Sequence, residues 1–301
     1  MNKFKMGKML FYIVDVFAEE KYAGNQLAVF RGGNALGDNE MQRIAREMNF
    51  SETTFILSET QRDGGFDVRI FTPGEEVPFA GHPTLGTAHI IRTEILSQKN
   101  TGEIKLNLKA GQIPVSFNDS AGEGTICWMR QIEPVFGETI NAKIIAAVLN
   151  LNSGDIDERF PIEEVSTGLP HIIVPLRGLD SLKRAGVNND KYSEFIKSRW
   201  AKPILIFCTE PHDPQNDISV RMFADCFGIP EDPATGSGNG CLAGYLVRYR
   251  YWGRDEIDIR SEQGHEIGRP SLLFLRAKEK NGKISISVGG KAITVARGEF
   301  V

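Results

Sequence analysis

The stretch Asp67-Val-Arg-Ile-Phe-Thr72 has a counterpart in Ser219-Val-Arg-Met-Phe-Ala224, 152 residues further along the chain. A second pair follows in the same order, because Gly81-His-Pro-Thr-Leu-Gly86 parallels Gly236-Ser-Gly-Asn-Gly-Cys241 at an offset of 155 residues. Both offsets are about half of the 301-residue chain, and unrelated segments rarely match twice in the same order at nearly one spacing. The repeat therefore predicts two homologous domains.

In each copy a strand-like stretch leads through a Pro/Gly-rich turn into a helix of small and apolar residues. These helices, from about Pro83 to Thr93 and from about Gly240 to Arg248, have no wide polar face and are predicted to be central and buried. We expect an α+β fold of two homologous domains, each a mixed β-barrel-like sheet wrapped around a central helix. We place them at residues 1–128 and 129–301, with a final strand near 291–301 able to pack in the first.

A different helix is predicted between two strand-like runs of the first half. Met41, Ile44, Ala45 and Met48 recur at i, i+3, i+4 and i+7, which gives one apolar stripe. Asp38 is expected to cap this helix, since an aspartate before such a pattern is a common N-cap.

Composition and charge exclude several classes of protein. The 35 basic and 39 acidic residues leave a formal charge of −4 without a basic run, so no nucleic-acid partner is expected. No apolar run approaches the ~20 residues of a membrane span. The four cysteines are scattered without a Cys-x-x-Cys pair, which favours reduced thiols in the cytoplasm. The five histidines show no metal-ligand spacing, and we predict no metal.

The two glycine-rich turns could hold an anion. The first amides of a helix have no partner within the helix and carry partial positive charge, so Gly81 and Gly236 are candidate sites for a carboxylate or an enolate oxygen. The alternative is that these glycines only allow tight turns and close packing. Neither turn contains a phosphate loop or a complete dinucleotide-binding pattern, so no nucleotide cofactor is expected.

Four side chains are candidates for acid/base work or substrate binding. Glu52 stands at the mouth of a strand, where partial burial would raise its pKa toward neutrality, although it could equally be a solvated or capping glutamate. His82 could donate to a substrate or be structural, and Asp232 could bind substrate or be a helix N-cap. Ser237 stands at a helix start, where it is predicted to be a hydrogen-bond donor. It is not expected to be a nucleophile, because Thr235 precedes Gly236 and the spacing does not match a nucleophile elbow.

Together these motifs resemble the phenazine biosynthesis PhzF-like family, relatives of diaminopimelate epimerase. The resemblance extends from residue 14 to residue 237. The matching stretches, in the family's order, are Val14-Asp-Val-Phe17 with Ala23-Gly-Asn25, Asn49-Phe-Ser-Glu-Thr-Thr-Phe55, Pro78-Phe-Ala-Gly-His-Pro-Thr-Leu-Gly86 and Glu231-Asp-Pro-Ala-Thr-Gly-Ser237.

The resemblance implies two similar domains with the active site between them, and a homodimer as the assembly. It also implies that Glu52 is the acid/base that moves a proton. The substrate-binding residues that it implies are His82, Asp232, Ser237, the backbone of Gly81 and Gly236, and Asn25.

The reaction that the resemblance implies is a cofactor-independent isomerisation. Diaminopimelate epimerases use two cysteines at the helix starts, but the corresponding positions here are Ala80 and Thr235, which cannot act as thiolate bases. One carboxylate without an opposing base suits proton transfer within a small carboxylate-bearing metabolite, as in trans-2,3-dihydro-3-hydroxyanthranilate isomerase. The alternatives are an amino-acid epimerase or racemase, and a non-catalytic metabolite-binding protein with the same cleft.

The sequence departs from the family pattern at two places. Gln26 stands where proline is common, and Gly238-Asn-Gly240 follows Ser237 where larger residues are usual. We expect both departures to alter the size or polarity of the accepted substrate.

Overall fold

The computed structural model describes residues 9–97, 101–120 and 124–301. Its chain divides into two compact units, of which the first holds residues 1–129 and 290–301 and the second holds residues 130–289. None of the helices in these described ranges is long and apolar enough to cross a membrane.

Short strands make up most of the regular structure. The strands are β1 (Met9–Val16), β2 (Asn25–Arg31), β3 (Glu52–Ile56), β4 (Phe66–Phe71), β5 (Glu76–Val77), β6 (Glu103–Leu108), β7 (Gly111–Ser120), β8 (Gly124–Arg130), β9 (Val135–Ile140), β10 (Ile162–Ser166), β11 (Pro170–Pro175), β12 (Ile204–Cys208), β13 (Ile218–Ala224), β14 (Ile229–Asp232), β15 (Glu256–Gln263), β16 (Ser271–Lys280), β17 (Lys283–Gly290) and β18 (Ala292–Phe300). The helices are α1 (Asp38–Met48), α2 (Gly81–Ile90), α3 (Ala142–Val148), α4 (Leu179–Arg184), α5 (Asn189–Phe195) and α6 (Gly236–Arg248).

The first unit is a mixed sheet with the strand order β18-β1-β2-β3-β4-β6-β7-β8. The pairs β2–β3 and β4–β6 are parallel, and the other neighbours are antiparallel. The two-residue strand β5 adds to β4 as a short antiparallel hairpin.

The second unit repeats this plan strand for strand. Its order is β9-β10-β11-β12-β13-β15-β16-β17, with β11–β12 and β13–β15 parallel and the other neighbours antiparallel. The short strand β14 pairs with β13 as β5 does with β4. The repeated strands Asp67–Thr72 and Ser219–Ala224 thus occupy the same place in the two sheets, as β4 and β13. The homology of the two units stays a prediction.

A buried helix lies at the centre of each unit. Helix α2 contacts β18 and β1 at one end of the strand order and β6 and β7 toward the other, so the sheet curves around it. Helix α6 contacts β10, β11, β15 and β16 in the same manner. Nearly every residue of both helices is buried, as expected for helices without a polar face.

Three helix starts differ from the sequence predictions. Helix α2 begins at Gly81 and α6 at Gly236. The glycine-rich stretches that are predicted to be loops before the helices therefore form the first turn of each helix. The N-cap of α1 is Gly37 rather than Asp38, which is the first helical residue. The side chain of Glu40 accepts a hydrogen bond from the Gly37 amide at 3.0 Å, which is one of the two bonds of a capping box, and Gly37 has no side chain that could supply the other.

Candidate active site

In the first unit, Glu52 and His82 face each other at the start of the central helix. Glu52 is the first residue of β3, and its side chain is 18% exposed. His82 is the second residue of α2 and is buried. Glu52 Oε2 lies 3.5 Å from His82 Nε2, so a partly accessible carboxylate meets a buried imidazole.

Burial favours the neutral form of the His82 ring. Burial lowers the pKa of His82 to about 3, although a hydrogen bond with the backbone of Gln26 acts in the opposite direction. Such a bond favours the protonated ring because a ring N–H donates to the backbone carbonyl. Since Nε2 makes no hydrogen bond within the described residues, we assign this donor to Nδ1. The nitrogen facing Glu52 then carries a lone pair and no charge.

Asn25 stands at the same edge of the first sheet. It is the buried first residue of β2, and Leu27 of that strand pairs in parallel with Glu52. Gly24 precedes it with φ +68°, and a Cβ there would lie 2.4 Å from the Val16 carbonyl oxygen. Only glycine fits this close approach, which fixes the entry of the chain into β2.

In the second unit, Asp232 and Ser237 flank the start of α6. Asp232 is the buried last residue of β14, and Thr235 is the N-cap of the helix. The Thr235 hydroxyl donates a hydrogen bond to Asp232 Oδ2. Asp232 is therefore not the N-cap of α6. Its carboxylate is held by a hydrogen bond from the N-cap residue, Thr235. Ser237 is the half-buried second residue of the helix.

Both helix starts offer backbone amides that precede the first bond within the helix. In α6 that first bond runs from the Asn239 amide to the Thr235 carbonyl, so the amides of Gly236, Ser237 and Gly238 have no partner four residues earlier. In α2 the third residue is a proline without an N–H, which leaves the amides of the first two residues. These starts can stabilise negative charge without a cation.

The structure thus distributes the predicted site residues over two clusters. The first unit brings together Asn25, Glu52, Gly81 and His82, and the second unit holds Asp232, Gly236 and Ser237.

The glycines that depart from the family pattern are explained by packing. A Cβ on Gly238 would lie 2.9 Å from Leu205 Cδ1, and one on Gly240 would lie 3.1 Å from Gln131 Cγ. Both positions face side chains of the same unit, which fill the space that a larger residue would need. The expectation that these departures alter the size or polarity of the accepted substrate stays a prediction.

No thiol takes the place of the two missing bases at the helix starts. Ala80 and Thr235 are the N-caps of α2 and α6, and Cys241 lies more than one turn into α6. Burial raises the pKa of Cys241 to about 12, so this thiol stays protonated and packs, as expected from the sequence.

One group of metal-type side chains escaped the sequence analysis. Ligand atoms of His212, Glu262 and His265 all lie within 4.8 Å of one another. The two imidazole rings are stacked 4.2 Å apart at an interplanar angle of 5°. Because the lone pairs of an imidazole lie in its ring plane, parallel rings do not direct them to a common point. Glu262 also accepts hydrogen bonds from Asn216 and Ser219. We therefore interpret the group as a hydrogen-bonded network that holds the local structure, rather than as a set of metal ligands. The prediction of no metal stays a prediction.

Comparison with known proteins places these features in a family. A sequence model described as "Phenazine biosynthesis-like protein" matches residues 14–298. An uncharacterized isomerase of Clostridium acetobutylicum is 34% identical over 96% of this chain and 97% of its own length. The trans-2,3-dihydro-3-hydroxyanthranilate isomerase of Pseudomonas aeruginosa is 34% identical over 96% of this chain and 98% of its own.

The fold of this chain is also similar to a crystal structure of the Bacillus anthracis phenazine biosynthesis protein of the PhzF family. It superposes with a TM-score of 0.89 and 28% identity, covering 98% of this chain and all of the other. These matches confirm the family resemblance and the α+β fold class predicted from the sequence. The chain is a member of the phenazine biosynthesis-like family.

Proposed function

We propose that this chain is a cofactor-independent isomerase that moves a proton within a small carboxylate-bearing metabolite. The observation that carries the proposal is the Glu52–His82 pair at the start of α2, in which a partly exposed carboxylate faces a neutral, buried imidazole. The isomerase class agrees with the relatives, which include an enzyme named trans-2,3-dihydro-3-hydroxyanthranilate isomerase. The first substrate to test is therefore the compound in that name.

In the proposed reaction Glu52 takes a proton from one carbon of an unsaturated substrate and returns it to another. An imidazolium beside the carboxylate would hold it in its charged form and make it a poor base. The neutral His82 ring adds no positive charge, so the carboxylate can both accept and release the proton. When Glu52 is protonated, its hydroxyl can donate to the lone pair of His82 Nε2, 3.5 Å away.

The second cluster binds the substrate in this proposal. Ser237 and the first amides of α6 supply donors that suit the carboxylate of the substrate, which carries its charge both before and during the proton transfers. Asp232, fixed by the Thr235 hydroxyl, supplies an acceptor that suits an amino or hydroxyl group. Asn25, Gly81 and Gly236 complete the set of proposed binding residues.

An amino-acid epimerase is the weaker alternative within the enzymes. Inversion at a carbon needs a second base on the opposite face, and Ala80 and Thr235 stand where the epimerase relatives carry cysteines. A metabolite-binding protein without turnover is the alternative outside the enzymes.

The experiment is proton NMR of the purified protein in D2O with trans-2,3-dihydro-3-hydroxyanthranilate and a panel of unsaturated and amino carboxylates. We expect deuterium to enter at a specific carbon of one compound, and Glu52→Gln to slow this by about 100-fold or more. The matched control is Glu59→Gln, because Glu59 is an exposed carboxylate of the same segment that pairs with Arg31. It should retain the full rate.

Other results would select an alternative. Exchange at an α-carbon with formation of both enantiomers would favour an epimerase. A rise in melting temperature with a ligand, but no exchange of any compound, would favour a binding protein. Equal rates in Glu52→Gln and the unsubstituted protein would remove Glu52 from the mechanism.

Three further features belong to the proposal. The two units are homologous domains, as their identical strand orders suggest. The functional assembly is a homodimer, and the enzyme acts in the cytoplasm, where its four cysteines remain thiols. Light scattering of the purified protein tests the dimer directly.

A further inference from the structure

The side chain of Gln263, at the end of β15, makes four hydrogen bonds to the segment that carries Asp232 and the start of α6. Gln263 is 1% exposed. Its Nε2 donates to the Asp232 carbonyl at 2.8 Å and to Thr235 Oγ1 at 3.1 Å. Its Oε1 accepts from the Thr235 amide at 3.2 Å and from Asn239 Nδ2 at 2.9 Å. One amide thus holds both ends of the turn from β14 into α6.

A second buried amide extends this network into the helix. Asn239 is fully buried, and besides its bond to Gln263 it donates to the Thr235 carbonyl at 3.1 Å. Its Oδ1 accepts a hydrogen bond from Ser261 on β15 at 2.7 Å. A buried amide is costly unless it is hydrogen-bonded, and here both amides have partners at both ends.

Among the described residues of the first unit, an apolar residue stands at the place equivalent to Gln263. In the first sheet Phe66 pairs with Leu106, and in the second sheet the repeat-equivalent Ile218 pairs with Ser261. This register sets Leu108 of the first unit equivalent to Gln263. A leucine is therefore sufficient for this place in the fold, and the polar network of the second unit is not required by the strand plan.

We infer that Gln263 is a positioning residue, which fixes the Asp232 carboxylate and the first turn of α6 in the geometry that binds the substrate. It acts at two points. Its bond to the Asp232 carbonyl sets the backbone of that residue, and its bond to Thr235 Oγ1 orients the hydroxyl that donates to the Asp232 carboxylate. The inference deepens the proposed function and rests on it.

The effect is expected in substrate binding rather than in the proton transfer. Gln263 contacts the cluster of Asp232 and Ser237, whereas the proton moves on Glu52 in the other unit. Loss of a binding geometry shared by ground state and transition state raises KM and leaves kcat nearly unchanged.

The test replaces Gln263 with Leu, the residue of the first unit, and separately with Glu, which keeps the size and the acceptor oxygen but lacks the donor. Both variants should raise KM by about tenfold or more while kcat changes by less than about threefold. The matched control is Tyr245→Phe, which removes a buried hydrogen bond of the same helix, from the Tyr245 hydroxyl to the Pro161 carbonyl at 2.7 Å. It should lower the melting temperature and leave KM unchanged.

Hydrogen exchange gives a second readout on the same proteins. The amides of residues 234–239 should exchange faster in the Gln263 variants, and their exchange rates should be unchanged in Tyr245→Phe. If the Gln263 variants keep the KM of the unsubstituted protein, or if they and Tyr245→Phe raise KM alike, the inference is wrong while the proposed function stands. If the unsubstituted protein turns over none of the tested carboxylates, the proposed function fails and the inference fails with it.

Discussion

Mild acid is expected to destabilise this protein well before its carboxyl groups titrate. Burial lowers the pKa of His82 to about 3 and those of His89 and His171 to about 4. In the unfolded chain the same groups titrate near pH ~6.5. Between these values the unfolded state binds protons that the folded state does not, so stability is present above pH ~6.5 and falls as the pH drops, levelling off near the folded pKa values.

The magnitude follows from these shifts. Between pH 7 and pH 5 each of the three histidines removes about 2 kcal/mol from the free energy of unfolding, or about 6 kcal/mol together. This loss is comparable with the whole stability of many domains, roughly 5 to 15 kcal/mol. The protein is therefore expected to be markedly less stable at pH 5 than at pH 7.

The assay is urea unfolding at pH 7 and pH 5 for the unsubstituted protein and for His171→Asn. The amide nitrogen of asparagine lies where histidine has Nδ1, so it can keep the hydrogen bond that His171 Nδ1 donates to the Leu169 carbonyl at 2.9 Å, but it does not titrate. The difference in unfolding free energy between the two pH values should shrink by about 2 kcal/mol in this variant. An unchanged difference would refute the reasoning, because it would mean that His171 is not the neutral, buried group described above.

Two further predictions concern packing and thiol chemistry. Gly86→Ala should lower the free energy of unfolding by about 1 to 3 kcal/mol, measured by urea denaturation, since the new Cβ would lie 2.6 Å from Leu27 Cδ2. Gly74→Ala, whose Cβ would meet only Thr72 Oγ1 at 3.6 Å, should leave stability nearly unchanged. In the native protein a thiol reagent should modify Cys226 first, because the other cysteines are buried, and mass spectrometry of Cys226→Ser should show that this fast reaction is gone.

The repeated segments made the fold class accessible from sequence, because β4, β13 and the helices that follow them carry similar residues in a fixed order. The limits of the helices were less accessible. Gly236-Ser-Gly-Asn has low helix propensity and was interpreted as a turn, yet it forms the first turn of α6 because the buried network of Thr235 and Asn239 holds it there. Tertiary contacts outweighed local preference at this point.

The candidate site was only partly accessible from sequence. Glu52 and His82 lie 30 residues apart, each in its own recognisable motif, and the structure brings them to 3.5 Å. Gln263 carried no local signal, because a lone glutamine on a strand is usually solvent-facing. The pairing register of the two sheets, which only the structure shows, aligns Gln263 with Leu108 and identifies it as a polar residue at a buried position. The group around His212 was missed because His212 is about 50 residues away in sequence from Glu262 and His265.

The place of β18 has a consequence for how the chain folds during synthesis. In the first unit β18 pairs with β1, so residues at the two ends of the described chain are neighbours in one sheet. In the second unit the same place is taken by β9, which directly precedes the rest of that sheet in sequence. The second unit can therefore form from one continuous stretch as it leaves the ribosome, whereas the first must wait, with one edge of β1 unpaired, until residues 292–300 have been translated. During that interval the unpaired edge of β1 is open to wrong pairing or to a chaperone.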